Sequence, residues 1–207
     1  KKWYAPNNAS LVIAGDFDPA QAKELVAQYF GELPRGEDVS SITDAPAELT
    51  EEKVVRKEDP LAPHSKVWVA WLTPKVLAEG DAEFDVFTSI FTEGKDSPLV
   101  KALVYEKQIA KDVTAFQYSA RLQGQFIIQA TAAEGHTTDE LVAAIDEALA
   151  EIKKNGVTEE QVQVSKLNWE KQFYQGLGSI NRKADVLNNY NTTTGDPGYL
   201  SKDLARY

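Results

Sequence analysis

Two strand-like stretches, residues 112–120 and 125–133, face each other across a short turn through Gln123-Gly124, and this hairpin signal limits the fold more than any other feature. A turn that short joins antiparallel strands only, because a parallel pair needs a crossover of a dozen residues or more. Upstream, residues 53–58 and 66–73 read as two further strands separated by the turn-rich Asp59-Pro60-Leu61-Ala62-Pro63. The β-branched and aromatic run Val67-Trp68-Val69-Ala70-Trp71-Leu72 reads as a central strand.

Helical periodicity fills the intervals. Asp81 is placed to cap a helix with Phe84, Phe87, Ile90 and Phe91 inward, and a second helix spans about 98–107 with Leu99, Ala102 and Leu103 inward. Thr137-Thr138-Asp139-Glu140 is a capping box ahead of Leu141, Ala144, Ile145, Ala148, Leu149 and Ile152, with Gly156 as the stop. Thr158-Glu159-Glu160-Gln161 is a second box, flanked by the staple pair Val157 and Val162. Val162, Lys166, Trp169, Phe173, Leu177 and Ile180 then follow one helix face, and a short helical piece, 199–207, comes after the turn Gly195-Asp196-Pro197-Gly198. At the start of the chain, Leu11-Val12-Ile13-Ala14 reads as a buried strand, and Asp18-Pro19 opens a helix that ends at Gly31 and Pro34. Paired strands alternating with paired helices predict an α+β fold: a mainly antiparallel sheet with helices on one face. A parallel doubly wound alternation does not fit.

Charge and residue usage exclude several functions. The net charge of −10 argues against nucleic acid, whose phosphates require clustered Lys and Arg. The apolar runs are too short for a membrane span. The absence of cysteine removes disulfides, thiolate metal sites and thiol nucleophiles. It fits an oxidising compartment. The absence of methionine has no physical explanation that we can give. A chain beginning Lys1-Lys2-Trp3, with neither an initiator Met nor a signal-peptide pattern, is expected to be an internal piece of a longer protein.

Catalytic signals are sparse. A zinc hydrolase places two imidazoles on one helix face with a carboxylate, whereas the only histidines here, His64 and His136, fall in separate loops. They read as loop residues rather than as a metal pair. Glu51-Glu52 and Glu159-Glu160 read as a solvated strand start and a helix first turn. Gly94-Lys95-Asp96-Ser97 lacks the upstream glycine of a phosphate loop and reads as a helix-to-helix turn. Trp68, Trp71, Trp169 and Phe173 are expected in the core, the alternative being an aromatic peptide-binding wall.

The opening Tyr4-Ala5-Pro6-Asn7-Asn8-Ala9-Ser10-Leu11-Val12-Ile13-Ala14-Gly15-Asp16-Phe17-Asp18-Pro19, followed by Tyr29-Phe30-Gly31-Glu32-Leu33-Pro34, resembles the segment linking the first two domains of insulinase/pitrilysin-family peptidases, which include the mitochondrial processing peptidases. The resemblance continues through residues 84–111, 125–135 and 190–207, where Gly195-Asp196-Pro197-Gly198-Tyr199-Leu200 is similar to a bacterial variant. It implies the metallohydrolase fold of processing-peptidase domains and a chain that is the C-terminal, inactive neighbour of a zinc domain. It also implies one domain over 1–207, made of a junction β-α unit (1–34), a linker (35–50) and a main body (51–207).

In that family an Arg, with a Tyr seven residues later, helps hold substrate. The matching positions here are Val104 and Lys111, so the pair is absent by substitution. Valine donates no hydrogen bond, and lysine supplies charge without the phenol geometry. The resemblance therefore implies no catalytic, metal or cofactor residue in this chain, with zinc in the parent protein. The implied partners are a zinc-bearing domain of the same chain, a second half or subunit supplying the Arg/Tyr pair, and a peptide substrate. The alternatives are a scaffold member without catalysis and a stand-alone peptide-binding module. Bacterial relatives point to the periplasm, with the cytoplasm as the alternative.

The resemblance makes one further architectural expectation. The strand at 11–14 and its helix would complete the preceding domain, so in this chain the early unit would fold back into the sheet or pair with another copy.

Overall fold

The computed structural model describes residues 3–40 and 47–207. Residues 1, 2 and 41–46, which include part of the expected linker, lie outside the described set. The chain divides into two compact units, Lys1–Thr43 with Glu170–Arg206, and Asp44–Trp169 with Tyr207.

The larger unit is built on an antiparallel sheet of β1 (Lys66–Thr73), β2 (Ala110–Tyr118) and β3 (Gly124–Ala132) in the order β1-β3-β2. The expected hairpin forms, but its connection is residues 119–123, and Gly124, expected in the turn, is the first residue of β3. Gly124 is required there, since a Cβ would sit 2.4 Å from the Pro74 carbonyl oxygen and 2.6 Å from Thr73 Oγ1. Alternation along each strand puts Val67, Val69 and Trp71 beside Ala130, Ile128 and Phe126, with Val113 and Ala115 completing the rows. On this face pack α2 (Asp81–Thr92), α3 (Pro98–Val100), a π-helical continuation (Lys101–Glu106) and α4 (Thr138–Asn155), which bury Phe91, Leu99, Leu103, Leu141 and Ile145. The expected α+β class, with helices on one face, is what forms.

Both predicted capping boxes close. Thr137 Oγ1 accepts from Glu140 N at 3.2 Å while Glu140 accepts from Thr137 N at 2.7 Å, and Thr158 exchanges the same two bonds with Gln161. Asp81 does something other than cap. The N-cap is Gly80, in the left-handed region at φ 93°, and Asp81 is the first helical residue, buried. Its carboxylate accepts from Leu77 N at 2.9 Å, Ser119 Oγ at 2.5 Å and Gln117 Nε2 at 3.4 Å, tying the end of β2 to the start of α2. The helix expected at 98–107 is α-helical for one turn only. It then widens to π geometry, and Lys107 N donates to Ala102 O.

Three expected elements are corrected. Residues 53–58 form no strand, and Val54 and Val55 are exposed. Residues 11–14 form none either. Leu11 and Ile13 stand 59% and 47% exposed and join no strand of this chain, which overturns the expectation that this segment folds back into the sheet. Both segments have strand composition, but composition alone supplies no hydrogen-bonding partner. The long helix through Ile180 is two helices, α5 (Glu159–Gly176) and α6 (Ile180–Thr194). Ser179 caps α6 by accepting from Arg182 N, so Ile180 starts a new axis and is exposed.

In the smaller unit α1 (Pro19–Phe30) starts as predicted, Asp18 accepting from Gln21 N at 2.8 Å, but it buries no residue. A cavity of about 380 Å³ runs along it, lined in part by Leu11, Ile13, Phe17, Leu25, Tyr29 and Phe30. Buried residues of this unit lie on α6 and α7 (Leu200–Leu204). Buried Tyr190 donates to Asp203 at 2.6 Å, and Asp203 is gripped by Arg206 through Nε at 2.9 Å.

Candidate functional site

The helices cover one face of the sheet and leave the other open. The ladder sets the outward positions in four rows. Lys66, Thr131 and Asp112 form the first, and Trp68, Gln129 and Thr114 the second. Ala70, Ile127 and Phe116 follow, then Leu72, Gln125 and Tyr118. Trp68 and Tyr118 are each 59% exposed and Phe116 40%, while Ile127 and Gln129 of the middle strand are half-buried between them. Large aromatic side chains left in water on a sheet face are a marked departure from ordinary burial. The expected core position of Trp68 is therefore corrected. Trp71, next to Ala70 in β1 and on the opposite face, is packed on Phe126 with ring centroids 5.8 Å apart. Trp169 and Phe173 are half-buried, and Trp169 stacks on Tyr207 at 3.5 Å.

Phe116 and Tyr118 carried no earlier signal as site residues. The alternation Val113, Ala115, Gln117 against Thr114, Phe116, Tyr118 in β2 was the available one, because its smaller residues face the helices. In β1 both faces are apolar, so the pattern alone does not tell core from surface.

The histidines are held apart by different partners. Lys111 Nζ donates to His64 Nε2 at 2.6 Å, beside the first row of the open face. His136 Nδ1 lies 3.5 Å from Glu140 Oε1 at the start of α4. The Glu140 carboxyl is held below its ordinary value first by the Thr137 backbone N–H, then by the Thr137 hydroxyl and by His136. Among the described residues no three His, Cys, Asp or Glu side chains group so as to hold a metal ion. The residues present do not fit a zinc site. Val104 sits on the π-helical turn with its side chain against the core, and Lys111 is the extra residue of a β-bulge between Ala110 and Asp112, exposed. No helix of the described residues is long and apolar enough to cross a membrane.

This combination is an α+β domain whose described residues form no metal cluster, and comparison with known proteins gives it a family. Residues 1–168 match the peptidase M16 inactive domain, and the chain belongs to that family. It is 25% identical over 196 residues to the zinc protease PqqE of Helicobacter pylori, covering 91% of this chain and 43% of that protein. A solved protease from Helicobacter pylori superposes with a TM-score of 0.79 at 22% identity, over 99% of this chain and 50% of its own. The peptidase M16 inactive domain from Pseudomonas fluorescens gives a TM-score of 0.68 at 17% identity, over 93% and 45%. The periplasmic protease PqqL of Escherichia coli gives 0.64 at 15% identity, over 93% and 21%. The chain thus spans half or less of the length of these relatives.

Proposed function

We propose that this chain is the non-zinc chamber domain of a zinc-dependent endopeptidase that hydrolyses peptides or unfolded polypeptides, the metal being held by sequence outside residues 1–207. The observation that carries this reading is the match to the M16 inactive domain in a chain whose described acidic and histidine side chains form no metal cluster. The smaller unit supports a junction role for residues 1–34. The apolar side of α1 and the cavity along it form a surface of the kind that a neighbouring domain of the parent chain would cover. Val104 and Lys111 are the positions where the family's Arg/Tyr pair would stand, and in this reading another half or subunit supplies that pair. The periplasmic relative PqqL and the lack of cysteine support a periplasmic location.

The test is hydrolysis of an unfolded polypeptide by the full-length protein, with and without a zinc chelator. The reading expects internal cleavage that the chelator abolishes. No cleavage by the zinc-loaded protein would place the parent among scaffold members instead.

A further inference from the structure

We infer that Asn155 is a self-modifying site: its side chain condenses with the backbone nitrogen of Gly156 to a cyclic imide, at a rate gated by the last turn of α4. The inference stands apart from the proposed chamber role. Asn155 is the only asparagine of the chain followed by glycine. It is the exposed last residue of α4, and Gly156 after it is exposed in the left-handed region at φ 73°. Glycine brings no Cβ to obstruct the approach of its nitrogen to the side-chain carbonyl carbon. Even a Cβ built at Gly156 would meet nothing within 4 Å, so a small ring has room to form. Other asparagines are placed differently. The side chains of Asn7, Asn8 and Asn191 donate to Glu37 O, Trp3 O and Ser10 Oγ. Asn168 and Asn181 lie within α5 and α6, ahead of the bulky Trp169 and Arg182.

The reaction balances with water as its one co-reactant. The Gly156 amide gives its proton to a solvent base and attacks Asn155 Cγ. The new N–C bond forms as the bond to the side-chain nitrogen breaks, and that nitrogen takes up a proton and leaves as ammonia. Water then opens the imide at either carbonyl. One opening leaves aspartate; the other leaves isoaspartate, in which the backbone runs through the former side chain. Lys153 and Lys154, exposed in the same turn, favour the anionic amide by their charge. The fold holds the reaction back. Gly156 N donates to Ile152 O at 2.8 Å, and attack requires that bond broken and Asn155 out of helical geometry. Helix ends open more readily than helix centres, and half-buried Ile152 anchors this one to the core. The product has a structural consequence. Its carboxylate faces the negative end of the α4 macrodipole, and isoaspartate lengthens the backbone just ahead of the short connection 156–158 to α5.

The experiment incubates the full-length protein at neutral and at mildly alkaline pH. Peptide mapping by mass spectrometry follows each asparagine, and labelling by an isoaspartyl methyltransferase reports the isoaspartyl form. Asn155 is expected to convert ahead of every other asparagine, faster at the higher pH, to a mixture of both products. Asn155→Gln should lose the signal, because glutamine would have to close a larger ring. Ile152→Val and Ile152→Ala shorten the anchor in steps and should raise the rate at Asn155 in that order, by at least about fivefold for the second. The milder variant carries this arm if the larger one loses its circular dichroism spectrum. No conversion at Asn155, or conversion that favours Asn168 or Asn181, would overturn the inference. So would an unchanged rate at Asn155 in the folded Ile152 variants, which would remove the gating by the last turn.

Discussion

Replacing Asp81 by Ala should be the most damaging polar change in the larger unit. The side chain is 2% exposed and accepts from Leu77 N at 2.9 Å, Ser119 Oγ at 2.5 Å and Gln117 Nε2 at 3.4 Å. Hydrogen bonds to an ionised group each contribute about 1.5–3 kcal/mol, and a buried donor left without a partner costs about 1–3 kcal/mol. Ser119 is part-buried and its hydroxyl can turn toward water, while the Gln117 amide keeps Thr73 Oγ1 at 2.9 Å, so Leu77 N and the lost Ser119 bond dominate. The expected loss is about 3–4 kcal/mol, a fall in melting temperature of about 10 °C for a chain of this size. Asp81→Asn keeps one carbonyl oxygen but turns an amide donor toward the donors around it, so its loss should be smaller, about 2 kcal/mol. Urea unfolding followed by tryptophan fluorescence reads both variants. A loss below about 1 kcal/mol for Asp81→Ala would refute the claim that this carboxylate locks α2 to the end of β2.

Other expectations concern the caps and the smaller unit. Thr137→Ala removes one half of the α4 capping box and should cost about 1 kcal/mol in the same unfolding assay. Because the Glu140 carboxyl is depressed in the folded chain, its contribution is present above the ordinary glutamate value and lost as pH falls through the folded one; Glu140→Gln should flatten that acid limb of the stability profile. Burial and the bond to Asp203 push the Tyr190 phenol up, so its contribution is complete below the ordinary tyrosine value of about 10 and is lost as pH rises through the higher folded value. Tyr190→Phe should cost about 1–2 kcal/mol at neutral pH and remove that alkaline limb, measured by thermal melts across pH.

What was legible in the sequence was what neighbours in the chain decide. The hairpin, the boxes at Thr137 and Thr158 and the cap at Asp18 are settled within a few residues; the boxes and the cap form as read, and the hairpin forms with its turn shifted ahead of Gly124. The errors lie where a distant partner decides. Residues 11–14 and 53–58 have strand composition, but no edge receives them. Asp81 has the composition of a cap and becomes a buried acceptor because Gln117 and Ser119, far away in sequence, converge on it. Trp68 lies in a run apolar on both faces, and only the helices packed on the Val67–Trp71 side show which face is core. The break between α5 and α6 was available in Gly178-Ser179, but the apolar spacing through Ile180 masked it. The expectation that Val104 and Lys111 stand at the positions of the Arg/Tyr pair came from resemblance alone, and no physical property of either residue announces it.

The central claim is that this domain holds no part of the catalytic metal site. The most direct measurement is the zinc content of the full-length protein carrying His64→Ala and His136→Ala together. The claim predicts the same zinc stoichiometry as the unaltered protein. Loss of the metal from the doubly substituted protein, with its fold intact, would contradict it.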